Sequence, residues 1–137
     1  MHVPVKDRSN YLKGLLIVAK KDNELAEPEK KIIREVAKRL GFSSTFYEYT
    51  IQNLLSNDYI DETPIKFSDK MIAKSFLIDG LRLAKCDDKL DDSEIDWLRQ
   101  TCILNGIDEK WFGQKLKEVQ NSQMLVPEAD FALYSLI

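Results

Sequence analysis

An all-α fold, a bundle of about seven helices built from two three-helix repeats with approximate two-fold symmetry, follows from three features of this chain. The first is self-similarity, the signature of a duplicated unit. A shift of 65 positions superposes Ala19 on Ala84, Lys20 on Lys85, Asp22 on Asp87, Leu25 on Leu90, Glu29 on Glu94 and Gly41 on Gly106. The second is apolar spacing at helical period, with no sustained alternation and no Asn-Gly hairpin signal. The third is scarcity of breakers: 5 Gly and 4 Pro in 137 residues. One domain spans 1–137, with repeat one at about 7–60, repeat two at about 67–125 and a capping helix at about 127–137, a length usual for a single core.

The elements follow in order. Apolar spacing predicts a first helix over Tyr11 to Lys21, after a frayed start that carries the one His, His2. A second runs from Pro28, tolerated in a first turn, to Leu40, and Gly41 closes it as a left-handed cap. Ser43 caps a third helix from Phe46 to Leu55. The polar linker Ser56 to Lys66 leads to Ser68 or Asp69, either a natural cap for the stripe Ile72, Ala73, Phe76, Leu77, Gly80, Leu81 and Ala84. Asp87 to Leu90 interrupt this helix. Asp91 opens the fifth, three residues before Glu94, the spacing of a capping box. Its expected core stripe is Ile95, Leu98, Cys102 and Ile103, with Gly106 ending it. Asp108 caps a sixth helix burying Trp111, Phe112, Leu116 and Val119, and Pro127 starts a seventh that reaches Ile137 and covers the second triplet.

Hydrophobic residues make up 44% and charged residues 31%, the balance of a folded globular chain. The net charge of −3 gives no basic face for nucleic acid. The N-terminus lacks the apolar region of a signal peptide, and no apolar run approaches the roughly 20 residues of a membrane span. Cys86 and Cys102 stand apart without metal-ligand spacing, which fits a reduced, cytoplasmic protein. No phosphate-binding Gly loop, nucleophile elbow or zinc-protease motif is present, and His2 alone makes no triad. The reading is therefore non-enzymatic, with a protein partner and no membrane or nucleic acid.

Chemistry concentrates in the loops between the first and second helix of each triplet. Residues 87–96 (DDKLDDSEID) hold six acids against one Lys, and residues 22–31 (DNELAEPEKK) hold four against two. Asp22 and Glu29 in the first loop, and Asp87, Asp88, Asp91 and Glu94 in the second, offer the oxygens that Ca²⁺ or Mg²⁺ prefer. Leu83 and Lys85 occupy the first and third places of an EF-hand count, where ligands are required, so this is not an EF-hand and any binding would be weak. The competing reading makes Glu29, Asp91 and Glu94 helix-start groups, favoured there by capping and by the macrodipole. Asp22 and Asp87 fall at the end of a helix, where the dipole disfavours acids. A metal-dependent enzyme using paired carboxylates is the second functional reading. Tyr47, Tyr49 and Tyr59 gather near the linker as a further docking patch.

The segment AKKDNELAEPE (19–29) and its echo AKCDDKLDDSE (84–94) resemble the TerB-like family, named for tellurite resistance, over about residues 8 to 120. The resemblance implies an all-helical pseudo-two-fold fold in a bacterial cytoplasmic protein. It also implies metal binding or an interaction role in a stress response, carried by Asp22, Glu29, Asp87 and Glu94. Asn23 and Asp88 stand where that family usually has Gly.

Overall fold

A computed structural model describes residues 2–21, 25–54, 56, 61–86, 90–121 and 132–136. Six α-helices follow one another: α1 (Val5–Lys20), α2 (Glu27–Arg39), α3 (Ser44–Asn53), α4 (Lys70–Lys85), α5 (Asp92–Leu104) and α6 (Glu109–Asn121). They pack as a compact all-helical bundle, and no strand occurs among the described residues.

The first helix starts six residues before the apolar pattern suggests. Val3, expected to fray, is fully buried. The Asp7 carboxylate accepts the Ser68 backbone N–H at 3.0 Å and the Ser68 hydroxyl, which ties the first turn of α1 to the approach of α4. Arg8 donates Nε to the Val3 carbonyl at 2.8 Å and Nη1 to the Leu40 carbonyl at 3.2 Å. Ser68 and Leu40, two of the three partners of Asp7 and Arg8, lie far along the chain.

Helix ends follow the cap signals closely. Gly41 (φ 94°) and Gly106 (φ 69°) occupy the left-handed region that disfavours a Cβ. Behind each, a pair of backbone bonds closes the helix: Gly41 to Lys38 and Phe42 to Ala37, then Gly106 to Ile103 and Ile107 to Cys102. Those are the two bonds of a Schellman motif. Ser43, Asp69 and Asp91 each accept a backbone N–H of the helix they precede, and Asp108 does the same for Lys110.

The core is organised where α1 and α4 meet. Tyr11, Phe67, Phe76 and Trp97 form one aromatic cluster, with Phe76 facing Tyr11 at 5.4 Å, Phe67 at 5.2 Å and Trp97 at 6.1 Å between ring centroids. The inward face of α5 differs from the expected stripe. Trp97, Leu98, Thr101 and Cys102 are buried, Ile95 is half-buried and Ile103 is 54% exposed. At 100° per residue, Ile103 lies about 140° around the helix from Leu98, whereas Thr101 lies only about 60° away. The Trp97 indole is drawn in and donates to the Glu62 carbonyl at 2.7 Å.

Asn105, at the end of α5, fixes the linker before α4. Its Oδ1 accepts the Phe67 N–H, and its Nδ2 donates to the carbonyls of Ile65 and Thr101, all at 2.8 Å. Asn105→Ala would strand a buried N–H and release the linker. Urea unfolding should show a loss of about 2–3 kcal/mol, the cost of unpaired buried polar groups.

The expected seventh helix over 127–137 is corrected in part. Residues 122–131 and 137 lie outside the described residues, and the described remainder is a single 3₁₀ turn, Ala132–Ser135. One turn cannot sustain itself in water. Leu133 and Leu136 are nonetheless buried, and the turn packs on α4.

Candidate functional site

The two acidic helix starts come first, because chemistry was expected there. At α2, Glu29 is 1% exposed, and its Oε1 accepts the Ala26 N–H at 3.3 Å. Ala26 has no side-chain acceptor, so only half of a capping box forms. At α5, Asp91 accepts both the N–H and the hydroxyl of Ser93 at 2.8 Å, which holds its carboxyl below the usual range. Glu94, in the first turn of α5, is buried like Glu29. Both glutamates turn into the protein. Asp22, Asp87 and Asp88 lie outside the described residues.

Among the described residues, no three His, Cys, Asp or Glu side chains come together in a group that could hold a metal. A hard cation takes six to eight oxygens, and Asp91 directs its Oδ1 to Ser93. Glu29 and Asp91 serve helix starts and Glu94 belongs to the buried first turn of α5, while the other three expected ligands, Asp22, Asp87 and Asp88, fall outside the described residues.

A different carboxylate is the most unusual polar group of the fold. Asp79, near the middle of α4, is fully buried. Its Oδ2 accepts the Tyr11 hydroxyl at 2.5 Å and the Leu133 N–H at 3.0 Å, and its Oδ1 accepts the Ala132 N–H at 2.7 Å. Tyr11 Oη also meets Ser75 Oγ at 2.9 Å, and Arg82 Nη1 stands 3.8 Å from Asp79 Oδ1. Burial pushes the Asp79 carboxyl up to about 6, against the opposing pull of the Tyr11, Ala132 and Leu133 bonds and of Arg82. Burial, and then the Asp79 charge, raise the Tyr11 phenol well above its ordinary value. Sequence reading passed over Asp79. The available signal was an acid four residues after Ser75 within an otherwise apolar stripe, a pair on one helix face.

Two surface clefts stand out among the described residues. One of about 480 Å³ lies between α2 and α3, where Arg34 Nε bonds Glu48 Oε1 at 2.6 Å and Lys30 pairs with Glu27 at 3.1 Å. Its charges are already matched to each other. The other, about 360 Å³, is bounded by Thr63, Pro64, Gln100, Ile103 and Leu104. Ile103 and Leu104 are 54% and 45% exposed there. Tyr49 and Phe46 on α3 are also exposed, Tyr47 is half-buried, and Tyr59 lies outside the described residues.

No described helix is long and apolar enough to cross a membrane. Comparison with protein-family models, curated proteins and solved structures returns no match to this chain. The TerB-like and tellurite-resistance expectation is therefore corrected: it rested on one short duplicated motif, and no family model, curated protein or solved structure matches the chain.

Proposed function

We propose that this chain is a non-enzymatic helical interaction module, made of two related three-helix units, that docks an amphipathic segment of a protein partner at the end of α5. The observation carrying this reading is the Ile103–Leu104 cleft: two large apolar side chains left in solvent beside Pro64. Clustered exposed apolar groups mark interaction sites more often than single ones do. Three acids stand next to the cleft's lining residues, and one of them, Glu62, is paired with Lys21 at 3.6 Å. Asp61 and Glu62 precede Thr63, and Asp96 bonds Gln100 at 2.8 Å. An apolar floor with an acidic rim suits a segment that alternates apolar residues with Lys or Arg, because opposite charges steer the encounter. The duplicated-unit reading is supported by helix starts: α4, α5 and α6 each begin 65 residues after α1, α2 and α3.

The test is capture from native lysate by the wild type and by Ile103→Lys/Leu104→Lys, whose charges suit a helix C-terminus and would repel the basic segment. Both side chains are exposed, so the double variant should keep its melting temperature while losing the partners captured by wild type. Unchanged capture by a folded double variant would remove this cleft from any docking role.

A further inference from the structure

The described part of the C-terminal segment docks mainly on one helix, α4. Ala132–Ser135 is one 3₁₀ turn, and its Leu136 N–H bonds the Leu133 carbonyl at 2.9 Å. Leu133 and Leu136 are buried against the helical body. Ahead of them, the amides of Ala132 and Leu133 share the two oxygens of Asp79. Among the described elements, α4 is the helix on which the turn mainly packs. A single turn docked mainly on one helix can open at lower free energy than the core.

We propose that residues 132–136 form a latch that opens separately from the six-helix body, with Asp79 as its keeper, so that opening uncovers an apolar seat on α4. The inference is independent of the cleft at α5.

The keeper also makes the latch sensitive to pH. The groups acting on Asp79 are Tyr11 from α1, Arg82 from its own helix, and the Ala132 and Leu133 amides from the turn, with Ser75 acting through Tyr11. Closed, the carboxyl is buried and titrates at about 6; hydrated in the open state, it returns toward its ordinary 3.8. The closed form therefore binds the proton more tightly. Acid closes the latch, and raising pH from 5 to 7 increases the opening constant about tenfold. Asp79→Asn keeps the size but not the proton. Its amide, placed at the Oδ2 position, would face the Leu133 N–H as a second donor, so the closed turn loses an acceptor.

The experiment is amide hydrogen exchange on the full chain, read as protection factors so that intrinsic base catalysis cancels. The Ala132 and Leu133 amides should be at least tenfold less protected than those of Leu81 and Leu98. Their protection should fall about tenfold from pH 5 to pH 7 in wild type and stay flat in Asp79→Asn. Leu133→Ala, which keeps Asp79, should lower protection of the turn and preserve the slope, so the claim survives a failure of Asp79→Asn to fold. Equal protection of turn and core would overturn the latch, and a flat wild-type profile would overturn Asp79 as its keeper.

Discussion

Phe76→Ala should lower the free energy of unfolding by about 3–5 kcal/mol, the range for losing a buried aromatic ring. Phe76 is fully buried, and Tyr11, Phe67 and Trp97 confine its ring. It also explains why α1 carries a glycine in its middle. A Cβ at Gly14 would stand 2.4 Å from two atoms of the Phe76 ring, closer than any real contact. Gly14→Ala gains about 1 kcal/mol of helix propensity, yet must push a ring that its neighbours hold in place. Overpacking of this kind costs roughly 1–3 kcal/mol and more where nothing gives. The net effect in wild type should be destabilising. With Phe76→Ala already in place, the added methyl enters vacated space, and Gly14→Ala should become neutral or stabilising. Urea unfolding of the four proteins, with m-values held to a common slope, should give a coupling of about 2 kcal/mol or more. Equal costs in the two backgrounds would mean that the close approach of α1 to Phe76 is not what requires the glycine.

Phe76 also marks where the sequence was legible, and Gly14 where it was not. The apolar stripes of α1 and α4 were plain, because both helices are buried on a broad face and their side chains recur at helical spacing. Gly41 and Gly106 were legible as caps because a residue with positive φ at a helix end has few alternatives to glycine. Ser43, Asp69, Asp91 and Asp108 declared themselves for the same local reason: a cap acts within three residues of its own position. Long-range polar bonds were invisible. Asp7 meets Ser68 and Asp79 meets Ala132, partners that only the packed bundle brings together. Ile103 was misplaced because hydrophobicity alone does not choose between two faces of a helix when Trp97 and Thr101 compete for the inner one. At the acidic starts, Asp91 carries the cap that its place at a helix start announced. What the net acidity of those loops concealed was that Glu29 and Glu94 point inward.

Between pH 7 and pH 4 the protein should gain about 2–3 kcal/mol of stability from Asp79 alone. The buried carboxyl titrates at about 6 in the folded chain and near 3.8 once unfolded. Between those values the folded state holds the proton and the unfolded state does not. The contribution is therefore complete below 3.8, and it is lost as pH rises through 6. Other shifted groups fall outside this window. Ser93 and Thr63 hold Asp91 and Asp61 below the ordinary carboxylate value, so those two weaken the fold only in stronger acid. Tyr11 and Cys102 are raised by burial and act only in alkali. The measurement is the urea midpoint at half-unit steps from pH 4 to pH 8, for wild type and Asp79→Asn, with the difference between the two curves isolating the one carboxyl. That difference should bend near pH 6. The opposite balance is physically available, because a carboxylate accepting two backbone N–H groups and a phenol can remain ionised even when buried. A difference curve without a bend above pH 4 would mean that those three donors outweigh the cost of burying the charge.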